Sequence, residues 1–318
     1  MQISLITPAK KQSKDGNRTT ALRWANILRD AGHRVHIGVE YTGETADLMI
    51  AIHAWRSAKS IQRFRNRFLG RPLVVGLGGT DVNTFLKSKP ETTLRSLEMA
   101  DALICLHDLI GEALPARLRR KLHVVRQSAI PLSGARRPSV RHFDICVIGH
   151  LRDEKDPFRT ALAARLFPAH SKLRITHLGK AHTVAFAKQA AAEMAINTRY
   201  RWLGEVPGWR VRREFSRTRL MVISSNQEGG ANVISEAVVA DVPIIASDIS
   251  GNVGLLGRDY GGYYPVRDEV ALAGMIKRCE MEPKFLDRLE RSGQKLKFMF
   301  SRDREALALQ QVINSVTK

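Results

Sequence analysis

Short apolar runs alternate with amphipathic stretches along the whole chain. In the first half, Ile3 to Thr7, Val35 to Val39, Leu48 to Ile52, Leu73 to Leu77 and Ala102 to Leu106 predict strands. Between them, helical spacing covers Thr19 to Ala31, Ser57 to Arg67 and Glu91 to Ala100. The second half repeats the plan, with strands predicted at Asp144 to Gly149, Leu173 to Leu178, Arg201 to Leu203, Leu220 to Ser224 and Pro243 to Ala246. Helices are expected after Asp156, over Val184 to Met194, Gly208 to Thr218 and Ile234 to Ala240, and through the tail from Pro283. Such alternation predicts an α/β protein built on doubly wound parallel sheets. A basic, proline-containing stretch from Ala129 to Arg141 has little periodicity and reads as a linker. The chain of 318 residues then divides into 1–132 and 133–299, with a last helix over about 300–318. Two Rossmann-like halves on a linker imply a cleft between them, the usual place for a ligand.

The stretch Ser224 to Glu236 carries the most chemistry. It follows one predicted buried strand and opens a helix, the place where open α/β sheets bind ligands. Gly229 and Gly230 let the backbone approach a ligand closely. The helix start beyond Ala231 and Asn232 offers free N–H groups suited to a phosphate or diphosphate. Glu228 stands before the glycines, and Glu236 lies one helical turn beyond Asn232 on the same face. Carboxylates accept from sugar hydroxyls, so this pair suits a sugar on either side of a diphosphate.

Composition narrows the class. A hydrophobic share of 44% is that of a globular protein, and no run approaches the roughly 20 residues of a membrane span. Met1 leads straight into the first strand with no basic and apolar leader, so no signal peptide is expected. Cys105, Cys146 and Cys279 are widely spaced without a C-x-x-C, which predicts buried thiols in a reducing cytoplasm. The net charge of +20 raises a nucleic-acid partner. The Lys and Arg residues are spread along the chain, however, and no helix-turn-helix, zinc-finger or RNP-like pattern occurs. Small phosphorylated substrates fit this charge better. No G-x-G-x-x-G follows the first strand, and Gly251, Gly254 and Gly257 have the wrong spacing. No nicotinamide, flavin or other cofactor is therefore expected. Neither a D-x-D nor a convergent histidine pair is present (His33 and His36 straddle a strand start), so no metal is expected.

Further motifs stand at strand ends. The loop Pro8 to Arg18 carries Lys10, Lys11, Lys14 and Arg18 around Asp15-Gly16-Asn17, a candidate anion site. Gly78-Gly79-Thr80-Asp81 ends the fourth strand, and His53 ends the third. His53 either serves the same cleft or is a hydrogen-bonded histidine at a strand end. Gly149-His150-Leu151-Arg152-Asp153-Glu154-Lys155-Asp156 ends the first strand of the second half and carries His150, Arg152 and Lys155. Trp202 in Arg201-Trp202-Leu203-Gly204-Glu205-Val206 reads as core.

Together these phrases resemble the retaining GT-B nucleotide-sugar glycosyltransferases. Glu228 and Glu236 match their E-x7-E signature, Gly78 to Asp81 their H-G-T-D turn with Gly78 in place of His, and Gly149 to Asp156 their G-R-L-x-x-E-K-G. The resemblance implies that Glu228 faces the donor hexose, Glu236 holds the ribose, and amides at Gly229, Gly230, Ala231 and Asn232 hold the diphosphate. Backbone groups of Gly204, Glu205 and Val206 would read uracil. Lys155, with Arg152 or His150 in the place of the family arginine, would neutralise leaving UDP. Gly16, Asn17, Arg18, Lys10 and Thr80 would lie on the acceptor side, with Asp81 and His53 near the transferred sugar. The first domain would be the acceptor side, the second would hold the donor, and the last helix would cross back onto the first. Narrower phrases, among them Thr7-Pro8, Gly16-Asn17-Arg18-x-Thr20-Ala21-x-Arg23-Trp24 and Asp156-Pro157-Phe158-Arg159, resemble the selenosugar synthases of selenoneine biosynthesis. That resemblance implies transfer from UDP-N-acetylglucosamine or UDP-glucose to selenophosphate, with loss of UDP and phosphate. An ionised selenium nucleophile needs positioning more than a base, and no catalytic dyad is evident in the sequence. The rival readings are an ordinary O-glycosyltransferase and a basic nucleic-acid-binding protein on a degenerate transferase scaffold.

Overall fold

The computed structural model describes residues 1–12 and 16–317. Lys14 and Asp15 of the basic loop lie outside the described residues, as does Lys318 at the end of the expected last helix. The chain forms two compact units: 1–128 with 229–231 and 301–318, and 129–228 with 232–300.

The first unit holds β1 (Gln2–Ile6), α1 (Gly16–Asp30), β2 (Arg34–Gly38), β3 (Leu48–Ile52), α2 (Ala58–Arg67) and β4 (Leu73–Gly76). A π-helical turn over Asp81–Phe85 leads into α3 (Leu86–Ser88), followed by α4 (Pro90–Met99), β5 (Ala102–Cys105), α5 (Ala116–Arg119) and β6 (Leu122–Val124). Its six strands run parallel in the order β2-β1-β3-β4-β5-β6. The runs LMIAI, LVVG and ALIC are apolar at nearly every position because both faces of the sheet are covered. Leu48, Ile50 and Ile52 pack with Trp24, Ile27 and Leu28, whereas Met49 and Ala51 alternate to the opposite face with Phe64 and Leu97. β2, at the edge, carries the exposed Arg34 and His36.

The second unit holds β7 (Phe143–Ile148), α6 (Arg159–Arg165), β8 (Leu173–Leu178), α7 (Val184–Ile196), β9 (Tyr200–Trp202), α8 (Gly208–Arg217) and β10 (Leu220–Ile223). It continues through α9 (Asn232–Val239), β11 (Ile244–Ser247), α10 (Ser250–Leu256), β12 (Tyr263–Tyr264), α11 (Glu269–Met281) and α12 (Pro283–Gln294). Its parallel sheet has the order β12-β11-β10-β7-β8-β9. From β7 the chain winds outward through β8 and β9, then returns to the other flank of β7 with β10. The winding therefore reverses between β7 and β10, and in the first unit it reverses between β1 and β3. Crevices open at such reversals beyond the carboxyl ends of the strands.

The last helix, α13 (Arg302–Val316), belongs to the first unit. Its Leu309, Val312 and Ile313 join the core beneath α1. Glu305, 1% exposed, accepts from Trp24 Nε1 at 3.0 Å, Arg23 Nε at 2.9 Å, and the Ser128 amide at 2.8 Å. One buried carboxylate thus ties together α1, the end of the first segment and the returning helix.

Two buried histidines make stability depend on pH. Burial pulls His107 and His177 down to about 4. The unfolded chain takes a proton on each below roughly pH 6.5, whereas the native state refuses it until near pH 4. Stability is therefore expected to fall as pH drops from about 6.5 to 4, by up to about 1.4 kcal/mol per pH unit for each histidine. Urea midpoints at pH 7.5 and pH 5 check this, and equal midpoints would contradict it.

Candidate active site

In the second unit, Lys155 follows β7 and Glu228 follows β10, so the two side chains arrive from either flank of the winding reversal. Lys155 Nζ donates to Glu228 Oε1, and Ser225 Oγ donates to the same oxygen at 2.6 Å. The side chains are 18% and 10% exposed, enclosed enough for the charges to act strongly and open enough for a ligand. Main-chain bonds fix both loops. Asp156 is left-handed at φ 42° and closes the turn that carries Lys155. Ser224 Oγ bonds the carbonyls of Lys155 and Asp156 at 3.1 and 2.9 Å, and the Asn226 amide bonds Glu154 at 2.8 Å. Ser225 is held in turn by Ser247, whose hydroxyl donates to its carbonyl at 2.6 Å.

Gly251 in α10 lies directly behind Glu228. A Cβ built on it would stand 2.5 Å from the Glu228 carbonyl oxygen and 2.6 Å from Glu228 Cβ. Gly251→Ala must therefore move Glu228. A displacement near 1 Å costs on the order of a hundred-fold in rate, and steady-state glycosyl transfer by the variant measures it. A rate within a few-fold of wild type would remove Glu228 placement from the requirements of the reaction.

The remaining donor-side candidates spread along the same strand ends. His150 lines a small pocket with Lys155, His177, Ser224 and Ser225, and its Nδ1 accepts from the Lys180 amide at 3.1 Å. Arg152 does not line that pocket, and its Nε stands 3.7 Å from Glu154. Asn232 is the first residue of α9, two positions earlier than expected, and Glu236 is half-buried one turn on. Gly230 precedes that helix at φ 121°, a conformation glycine adopts readily, and Ala231 beside it is buried. Gly204, at φ 69°, is tied to Gly179 by a 2.8 Å backbone bond, with Val206 half-buried and Glu205 exposed beyond it. Trp202 is half-buried, and its Nε1 donates to Gly179 O at 2.8 Å. His177, not singled out by the sequence, bonds Tyr200 at 2.9 Å and the Gly149 carbonyl at 3.1 Å, anchoring the turn before His150.

In the first unit, His53 stands at the end of β3 in a left-handed conformation, φ 74°. A non-glycine residue there costs of order 1–3 kcal/mol and calls for a reason. His53 Nδ1 lies 2.7 Å from Asp81 Oδ1, and Nε2 lies 2.8 Å from Thr80 Oγ1. Asp81 is fully buried and also accepts from the amides of Ala54, Trp55 and Gly78 at 2.8–2.9 Å. Nδ1 is also 3.2 Å from the Arg56 amide, but it cannot accept there while donating to Asp81. The shorter carboxylate contact assigns the proton to Nδ1 and leaves Nε2 to accept from Thr80. A Cβ at Gly78 would lie 2.9 Å from His53 Cδ2. The His53 ring thus occupies the space that a side chain at position 78 would enter. Beside it, Trp55 stacks on Phe85 at 4.1 Å, a half-buried aromatic pair that periodicity alone does not reveal.

Of the remaining acceptor-side candidates, Gly16, Asn17 and Arg18 form the first turn of α1, three residues ahead of the expected start. Arg18 is buried, and its Nε meets no hydrogen-bond partner among the described residues. Lys10 is exposed. Among the described residues, no group of three or more His, Cys, Asp or Glu side chains converges as a metal site. No described helix is long and apolar enough to cross a membrane.

Two α/β units, each with a six-stranded parallel sheet, match the GT-B fold of known glycosyltransferases. HepE of Anabaena in complex with UDP-glucose aligns with a TM-score of 0.79 and 14% identity over 100% of this chain and 99% of that one. Sucrose-phosphate synthase of Thermosynechococcus elongatus aligns with a TM-score of 0.78 and 16% identity over 99% and 98%. In sequence, "Glycosyltransferase 1 domain-containing protein 1" of Xenopus tropicalis is 24% identical over 314 residues, 90% of each chain. The family described as glycosyl transferases group 1 matches residues 136–296, and this chain belongs to it.

Proposed function

We propose that the chain is a selenosugar synthase. It transfers the hexose of UDP-N-acetylglucosamine or UDP-glucose to selenophosphate and releases UDP and phosphate. The observation that carries the transferase reading is the Lys155–Glu228 pair at the winding reversal of the second unit. In this reading Glu228 orients the hexose, Glu236 holds the ribose, and the amides at Gly229, Gly230 and Ala231 hold the diphosphate. Lys155, with His150 or Arg152, neutralises the charge that develops as the bond from C1 to the diphosphate breaks. The complexes of HepE with UDP and with UDP-glucose support a uridine donor. The acceptor rests on the sequence phrases shared with selenosugar synthases and on the basic loop ending in Asn17 and Arg18, suited to a small anion. Three buried, unpaired cysteines, each pushed up to about 12 by burial, agree with work in a reducing cytoplasm.

Mass spectrometry of reactions containing UDP-N-acetylglucosamine, with and without selenophosphate, tests the proposal. A seleno-sugar mass and free UDP are expected, both lost in Glu228→Ala. UDP release with a hydroxyl acceptor but never with selenophosphate would replace the reading with an ordinary O-glycosyltransferase.

A further inference from the structure

The first unit contains an arrangement with the character of a base, which sugar transfer to an anionic selenium does not require. Asp81, His53 and Thr80 form a hydrogen-bonded line, 2.7 Å from carboxylate to imidazole and 2.8 Å from imidazole to hydroxyl. With the ring neutral and its proton on Nδ1 toward Asp81, Nε2 accepts from the Thr80 hydroxyl, which gives the line a direction. Asp81 and His53 are buried, whereas Thr80 is half-buried, so of the three residues only Thr80 reaches the surface. It is held by the amides of Ala54, Trp55 and Gly78 and by a left-handed backbone at His53, so the fold maintains it against local strain. This is the geometry of a general base acting through a hydroxyl.

The selenosugar reading contains two bond changes with different proton requirements. When selenium attacks C1, its lone pair forms the C–Se bond and the C1–O electrons leave with UDP. No proton needs to move. Release of phosphate is different, because a water oxygen must add to phosphorus while the Se–P electron pair departs on selenium. The water must then lose a proton. We propose that Thr80, His53 and Asp81 form the proton relay for this second step. Thr80 Oγ takes the proton from water as its own hydroxyl proton passes to His53 Nε2, and Asp81 stabilises the imidazolium. Phosphate and the selenolate sugar leave, and the proton returns to solvent by the same path. The chain would then carry a hydrolytic activity on its first unit in addition to glycosyl transfer. This inference rests on the selenosugar reading above.

The experiment compares UDP release with phosphate release for the full chain given UDP-N-acetylglucosamine and selenophosphate, after subtracting phosphate formed without protein. Wild type is expected to release the two in a ratio near one. In Thr80→Val and His53→Gln the ratio of phosphate to UDP should fall to on the order of a hundredth, the size of a general-base contribution. The sugar selenophosphate ester should then accumulate, visible by mass and by phosphorus NMR. Thr80→Ser, which keeps the hydroxyl, should restore the ratio. A merely structural role would lower both products together and leave the ratio near one, and that result overturns the relay. If wild type incorporates no selenium at all, the selenosugar reading itself has failed, a result distinct from an unchanged ratio in the variants.

Discussion

Lys155→Ala is expected to lower the turnover number for glycosyl transfer by about 10²- to 10³-fold, the usual loss when one charge-stabilising group is removed from a developing anion. The structure gives reasons to expect the upper part of that range. The ammonium is mostly enclosed, its partner Glu228 is more so, and both approach from opposite flanks of one winding reversal. The substitution also removes the Lys155 ammonium from Glu228, so a loss of stability must be separated from a loss of chemistry. Thermal unfolding of the variant gives the first, and single-turnover rates at saturating donor give the second. If the two residues act as a unit, Lys155→Ala/Glu228→Ala should be little slower than either single variant. Fully additive losses, or a Lys155→Ala rate within tenfold of wild type, would dismiss the pair as the centre of the reaction.

The largest effect on stability is expected at Glu305. Removing a buried partner from a hydrogen-bonded ionic cluster typically costs about 3–5 kcal/mol. Glu305→Ala leaves Arg23, Trp24 Nε1 and the Ser128 amide without their shared acceptor. For a unit of this size the cost corresponds to a fall in Tm on the order of 10 °C. Glu305→Gln keeps an acceptor oxygen and the side-chain volume, so it should lose less. Calorimetry on the full chain checks both variants, and an unchanged Tm in Glu305→Ala would mean that α13 is held by its apolar face alone.

Much of the fold can be read along the chain because buried parallel strands are written as unbroken apolar runs. Leu48–Ile52 and Leu173–Leu178 coincide with their expected bounds for this reason. β6 and β12 escape such a reading because three and two residues are too few to show a period. The π-helical turn at Asp81–Phe85 escapes it because its shape follows from Asp81 being drawn inward to three backbone amides, a tertiary cause. The site divides in the same way. Glu228, the two glycines and Glu236 are contiguous, so their pattern is visible in one line of sequence. Lys155 comes to Glu228 across 73 positions, and His53 comes to Thr80 across 27. Those meetings depend on which strands are neighbours, which no local pattern states. The Asp81–His53 contact is hidden for the same reason, since the two become partners only when β3 and β4 lie side by side.

The close approach of Gly78 to His53 also restricts which related sequences are reachable one substitution at a time. A histidine introduced at position 78 would meet the existing ring, because even its Cβ has only 2.9 Å of room. Removing His53 first leaves Asp81 facing an empty space and Thr80 without its acceptor. Either single step is therefore expected to disturb this corner, whereas the paired exchange, Gly78→His with His53→Ala, leaves room for one imidazole. Packing thus couples positions 53 and 78, so the effects of substitutions at the two are expected to be non-additive.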